Sequence, residues 1–258
     1  MLVLAFDTAT PSVTVAVGNE GRVLAQRTTV DARRQGELLA VGIREVLAEA
    51  GVAGGDLDAI ACGAGPGPYT GLRVGLVTAR VLGSSLGVAA YGFCTLDIIA
   101  ADAAAAGREF LVATDARRRE LYWARYSAAG ERLAGPGVTA PAALPAGLPV
   151  AGEGAHAYPE VLGEAIPPRY PSAATAARWC AARLATGEPL GPPDPLYLRR
   201  PDAREPAAPK SVLAGSDRAG GGSPPRAGGA KAPATESQGP RASGGSRGSP
   251  PWANTVTP

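Results

Sequence analysis

Two aspartates that end apolar runs, and one loop of glycine and proline, are the residues best placed to do chemistry. Asp7 follows "LVLAF" in the stretch "FDTAT" (6–10), and Asp115 follows "FLVAT" in "ATDARRREL". A carboxylate at a strand end can hold a water or magnesium beside a phosphate. Between the two aspartates, "GAGPGPYTGLRVG" (63–75) runs straight into an apolar helix. Backbone amides at a helix start can hold an anion, and Thr70 is a candidate cap. Asp7, Thr8, Gly65, Gly67 and Thr70 therefore form a candidate set for a nucleotide or anion. A plainer reading fits the same residues. Asp7 makes an Asx-type turn helped by Thr8 and Thr10, Asp115 pairs with Arg117, Arg118 or Arg119, and the loop is only a sharp strand-to-helix turn.

Better-defined chemistries fail on spacing. The loop lacks GxxxxGK[ST], and Pro68 stands where the dinucleotide pattern GxGxxG needs its last glycine. One histidine, His156, cannot supply an HxxxH or HExxH metal pair, and is expected in an exposed loop. No GxSxG elbow exists for a serine nucleophile. Cys62, Cys94 and Cys180 form no CxxC, which argues against a disulfide framework and a zinc site. The residues thus name no catalytic group and no metal ligand.

The elements that must position the loop read as an α/β chain. Strands are expected at 2–6, 12–17 and 22–30, with connections too short for anything but an antiparallel meander. A helix over 36–51 ends at Gly51. A strand at 57–63 leads into the loop and a helix over 70–87, followed by a strand at 88–93 and a helix over 95–107. A less regular half follows: a strand pair at 109–116 and 120–127, a strand with a glycine exit at 148–155, a helix over 172–187 capped by Ser172, and "PLYLRRP" (195–201). These spans predict two lobes, 1–107 and a reduced 108–205. From Pro206 onward glycine, alanine, proline and serine dominate and large apolar side chains are few, so 206–258 is expected to be a disordered low-complexity tail. That tail carries six basic and two acidic side chains in a chain of net charge +2, so the body is slightly acidic. Such a body is a poor footprint for gripping nucleic acid by itself. The N-terminus reaches Asp7 without a basic leader, and no apolar run approaches membrane-spanning length, so a cytoplasmic protein is expected.

Within 70–87, Gly71, Gly75, Ala79 and Gly83 recur every fourth residue and form one bare ridge. Glycine costs about 1 kcal/mol per helical position against alanine, so something must offset three of them. A bare ridge admits close approach of a second backbone. Since Val74, Leu76, Val77 and Val81 can fill a core on the other side, the ridge is expected to receive a foreign helix. Bulk at Gly75 or Ala79 is then expected to block a partner while leaving the fold intact.

"FDTAT" at the first strand, "GPGPYTGLRVG" at the second helix, "TDARRRELYWA" after the change of lobe and "PLYLR" near 199, in this order, resemble the bacterial TsaB (YeaZ) family. The resemblance covers about residues 1–200. It implies an ASKHA (actin/Hsp70/sugar-kinase-like) fold of two RNase-H-like lobes. It also implies a part in placing threonylcarbamoyl on N6 of adenosine 37 in tRNAs that read ANN codons. In that system the family member is a non-catalytic dimerisation subunit. Its partners are a catalytic TsaD-like subunit and a TsaE-like ATPase, it is a homodimer when alone, and it meets tRNA only through the complex. The resemblance places the partner interface on the first-lobe helices, hence on Gly71, Arg73, Gly75, Thr78, Ala79, Leu82 and Gly83, with Glu37 and Leu38 beside them. It implies no cofactor on the chain alone, and ATP or ADP with magnesium at the heterodimer interface. Where many relatives read "RHSE", this chain reads "RRQGE", with Gln35 in the histidine's place. Relatives have been described as M22-like peptidases, for which this chain supplies neither nucleophile nor zinc ligands. The competing expectation is a small ASKHA-type phosphotransferase using Asp7 and Asp115.

Overall fold

A computed structural model describes residues 1–199. The expected tail and the last two residues of "PLYLRRP" lie outside the described residues. β1 (Val3–Asp7), β2 (Ser12–Gly18) and β3 (Val23–Val30) form the antiparallel meander, and β4 (Ala59–Gly63) and β5 (Ala89–Phe93) continue it in parallel. The sheet order is β3-β2-β1-β4-β5. α1 (Gln35–Ala50) and α2 (Tyr69–Leu86) are the crossovers. They cover one face, because Leu39, Ile43 and Val46 of α1 and Leu72, Leu76 and Ala79 of α2 meet Leu4, Phe6 and Ile60 there. Gly51 and Gly87 end the two helices in the left-handed conformation, with φ of 66° and 68°, as glycine permits at no steric cost.

The second sheet repeats this course. β6 (Phe110–Asp115), β7 (Leu121–Tyr126) and β8 (Arg132–Thr139) are an antiparallel meander, and β9 (Val150–Ala151) and β10 (Ala165–Ile166) follow in parallel. The order is β10-β9-β6-β7-β8. A three-residue 3-10 turn (Pro141–Ala143) stands where a first crossover helix would, and α4 (Glu153–Ala157) is the second. The expected strand at 148–155 is therefore β9 plus α4. β8 was not expected at all: Gly135-Pro136-Gly137 reads as a break, yet proline is tolerated on an edge strand, which β8 is.

α3 (Thr95–Ala103) and α5 (Ala173–Ala185) follow the last strand of each sheet and pack on the other one. Leu96, Ile99 and Ala100 of α3 join Phe110, Val112 and Tyr126 of the second sheet. Ala176, Ala177, Cys180 and Ala181 of α5 join Val3, Ala5 and Ala61 of the first. Ser172 caps α5 as expected, its Oγ accepting from the Thr175 amide at 3.4 Å, and Thr14 Oγ1 accepts from the Ala173 amide at 3.1 Å. The change of sheet falls near residue 107, but α5 returns to the first sheet across the expected lobe boundary, and the described residues 1–199 group into one compact unit. Among the described residues no helix is long and apolar enough to cross a membrane.

Candidate functional site

The glycine loop leaves the end of β4 directly beside the end of β1, and the two are in close contact. Asp7 is 1% exposed; its Oδ1 accepts from the Ala9 amide and its Oδ2 from the Thr95 hydroxyl, each at 2.7 Å. Burial pushes its carboxyl up from an ordinary 3.8 to about 6, against the opposing pull of those two hydrogen bonds. A Cβ on Gly63 would lie 2.1 Å from Asp7 Oδ2, so only glycine lets β4 end there. Thr8 is equally enclosed: its hydroxyl donates to the Gly71 carbonyl at 2.7 Å and accepts from the Gly75 amide at 3.1 Å. A Cβ on Gly67 would meet the Ala9 carbonyl at 2.2 Å, and Gly65 is buried with φ of 92°. Asp7, Thr8, Gly65 and Gly67 are thus spent on joining β1, the loop and α2. The Asx-type turn holds, and the expectation of a ligand-facing carboxylate at Asp7 is corrected. The Asp7–Asp115 phosphotransferase loses its first carboxylate with it. Thr70 stays exposed but is not the cap; Pro68 precedes the first helical residue, Tyr69, and no side chain caps the helix.

The ridge also turns inward. Gly71, Gly75, Ala79 and Gly83 are all buried in this chain. Cβ atoms would come within 2.4 Å of Gln35 Oε1 at Gly71, 2.7 Å of Thr8 Oγ1 at Gly75 and 2.8 Å of the Val88 carbonyl at Gly83. Gln35 Nε2 donates to the Thr8 and Thr10 carbonyls at 3.1 and 2.9 Å, holding the β1–β2 turn against α2. What offsets the cost of the glycines is the chain's own backbone, the β1–β2 turn at Gly71 and Gly75 and the lead into β5 at Gly83, so the foreign-helix argument for these four positions fails. The outer side of α2 is a different row: Tyr69, Arg73, Val77, Arg80 and Val81 are exposed, with Val74, Thr78 and Leu82 half-buried. α1 continues this surface with exposed Glu37 and Val41 and half-buried Leu38. Of the expected interface, Arg73, Thr78, Leu82, Glu37 and Leu38 lie here. Tyr197 stacks on Tyr69 with ring centres 5.8 Å apart, Arg73 sits 3.9 Å over the Tyr69 ring, and Arg80 pairs with Asp194. Residues 194–197 are thereby fastened to the outside of α2, a tie that sequence reasoning missed.

The second half is more open. Asp115 Oδ1 accepts from the Arg117 amide at 2.8 Å and Oδ2 pairs with the Arg117 guanidinium at 3.2 Å, one of the pairings foreseen. Arg117, Arg118 and Arg119 hold φ of 61°, 55° and 61°, a left-handed run that L-residues adopt at a cost. Arg199 reaches back to the Ala116 carbonyl at 3.3 Å and pairs with Glu120. His156 is exposed, on the last turn of α4 and not in a loop. Cys62, Cys94 and Cys180 are free thiols, and burial pushes Cys94 and Cys180 up to about 12. Among the described residues no three His, Cys, Asp or Glu side chains gather as metal ligands.

Between the starts of α1 and α2 and the β6–β7 turn lies an open cleft of about 280 Å³, bordered by Arg33, Gln35, Gly36, Thr70, Gly71 and Arg117. Only Thr70 and Gly71 among these were singled out by spacing with a ligand or partner in view. The cleft joins residues as far apart as Thr10 and Arg117, and no local pattern announces it.

A family model described as TsaD: tRNA N6-adenosine threonylcarbamoyltransferase matches residues 22–166. An uncharacterized protein of Mycobacterium tuberculosis is 44% identical over 204 residues, which cover 78% of this chain and 93% of that protein. The tRNA threonylcarbamoyladenosine biosynthesis protein TsaB of Escherichia coli is 34% identical over 128 residues, 49% of this chain and 55% of that protein. Among solved structures, a Pseudomonas aeruginosa protein with similarity to peptidase YEAZ is 30% identical, with a TM-score of 0.68 over 77% of this chain and 99% of that one. YeaZ from Pseudomonas aeruginosa follows at 29% and 0.67, over 76% and 99%.

Proposed function

The chain belongs to the TsaB (YeaZ) family, and on that premise we propose that it is the non-catalytic dimerisation subunit of the machinery that adds threonylcarbamoyl to N6 of adenosine 37 in tRNAs reading ANN codons. Its work is to bind and support a TsaD-like catalytic subunit in the cytoplasm. One observation carries this reading. α1 and α2 already fill a core with their inner sides, yet Val77 and Val81 remain 57% and 60% exposed and Val41 39% exposed on their outer sides. Apolar side chains on adjacent turns of two neighbouring helices form a surface that gains by being covered, and Tyr69, Arg73 and Tyr197 at its edge are residue types that anchor interfaces. The docking surface is therefore the outer side of α2 with Leu38 and Val41 of α1, not the glycine ridge.

The same surface pairs two copies of this chain when the partner is absent, and a TsaE-like ATPase joins the assembled pair. ATP or ADP with magnesium belongs to the shared interface, and tRNA meets this chain only through the complex. Val77→Asp with Val81→Arg tests the reading, because both side chains already stand in solvent. Co-elution with the TsaD-like protein of the same genome should fall by at least about tenfold in affinity with the melting temperature unchanged. Undiminished co-elution would place the partner elsewhere.

A further inference from the structure

We propose that the pocket under residues 189–196 binds a small organic carboxylate with an apolar body, its charge held by Arg132 and Arg183 and its body by Trp179, Leu190 and Leu196. The pocket measures about 170 Å³ and lies among the end of β5, the start of α3, α5 and the segment that follows α5. It shares no lining residue with the cleft at Thr70 and Arg117. Thr95 turns its hydroxyl to Asp7, whereas Cys94 and Asp97 border the pocket. The outer wall is clamped at both ends. The Gly92 amide donates to the Gly191 carbonyl at 2.9 Å, and the Leu196 amide to the Ala64 carbonyl at 2.7 Å. A Cβ on Gly92 would meet the Pro192 carbonyl at 2.6 Å, so glycine there lets the segment cross β5. Pro192 and Pro193 stiffen the span between the clamps, and Asp194 within it pairs with Arg80. A wall fixed by such ties needs little ordering on binding.

The polar end is cationic. Asp97 already carries two donors: its Oδ1 accepts from the Tyr126 hydroxyl at 2.7 Å and its Oδ2 from Arg132 at 3.0 Å. Burial pushes the Asp97 carboxyl up, and Arg132, Tyr126 and Arg183 pull against it, so both arginines act on the same corner of the pocket. A guanidinium has five N–H donors. Arg132, with 23% of its side chain exposed, gives one to Asp97 and has no other hydrogen-bond partner among the described residues. Arg183 gives one to Glu188 at 2.7 Å and lies 4.0 Å over the Trp179 ring. The N–H groups left over suit a planar carboxylate, which a guanidinium fork meets with two parallel bonds. A phosphate dianion is disfavoured, because Asp97 stands in the same corner. Much of the remaining lining is apolar: Phe93, Trp179, Leu190 and Leu196, the last three half-buried and gaining by being covered. The volume falls below that of pockets enclosing drug-sized ligands, so the body is a single ring or a short branched chain.

The isotope-labelled full chain is titrated with benzoate, isovalerate, benzyl alcohol and inorganic phosphate, followed by nuclear magnetic resonance. Saturable shifts of the Trp179 indole and of the Gly92 and Gly191 amides are expected with benzoate or isovalerate, at a dissociation constant of about 1 mM or tighter. Benzyl alcohol keeps the ring and lacks the charge, and phosphate keeps the charge and lacks the body. Each should bind at least about tenfold more weakly. Arg132→Lys keeps a charge beside Asp97 but loses the fork, and should weaken carboxylate binding about tenfold. Leu190→Glu sets a like charge into a half-buried position of the outer wall and should do the same. The proposal is overturned if neither carboxylate saturates by about 10 mM, if benzyl alcohol binds as well as benzoate, if the shifts centre on the cleft at Thr70 and Arg117, or if both variants bind as the parent does.

Discussion

β3-β2-β1-β4-β5 and β8-β7-β6-β9-β10 are one course taken twice, an antiparallel meander followed by two parallel strands. In the first half β4 and β5 have five residues each, with crossovers of 16 and 18 residues. In the second, β9 and β10 have two residues each, with a 3-10 turn of three residues and a helix of five as crossovers. The aspartates that end β1 and β6 occupy the same place in the repeat and differ in the same sense. Asp7 is sealed under the glycine loop, whereas Asp115 is half-buried beside Arg117. The half that kept its helices has used its strand-end chemistry to lock them down, and presents their outer sides. The half that lost them keeps its strand end accessible.

Substitutions that exchange the character of the two halves test that contrast. The largest effect is expected on the inward ridge. Gly75→Leu drives a side chain into Thr8 and Ala79→Arg buries an unpaired charge, so each should cost at least about 4 kcal/mol and abolish cooperative unfolding. A folded Gly75→Leu variant would return the ridge to the surface. Next comes the sealed aspartate. Its folded-state carboxyl, raised from 3.8 to about 6, binds a proton more tightly than the unfolded chain does. Its contribution is full below about pH 4 and is lost as the pH rises through 6, up to roughly 3 kcal/mol. Asp7→Asn should flatten that part of the stability–pH curve in denaturant titrations, and an unchanged slope would show that Asp7 is not the group responsible. The smallest effect belongs to the open counterpart: Asp115→Asn should shift stability by less than about 1 kcal/mol in the same denaturant titrations.

Much of this was legible in the chain. β1 to β3, α1 and α2 declare themselves through alternating and helical apolar spacing and through Gly51, and Ser172 announces its cap. β8 hid because Gly135-Pro136-Gly137 breaks a local pattern that only an edge position rescues. β10 hid because two residues carry no periodicity, and α4 hid inside the span expected as one strand because five residues are too few to show helical spacing. The ridge was seen and misassigned for a physical reason. A row of small residues at every fourth position says that a backbone comes close, and not whose. Here Thr8 and Gln35 come close, 63 and 36 positions before Gly71, and nothing local links them to it. The cleft was half seen, through Thr70 and Gly71, because its arginines come from other elements.

The crossing of α3 and α5 carries a consequence for motion. Molecules of two lobes commonly swing about a hinge to admit and trap what they bind. Here each sheet is roofed by a helix that belongs to the other, so a swing would have to pull apart two buried layers at once. The aperture is therefore set when the chain folds, and whatever arrives finds a rigid wall that spends no freedom on closing.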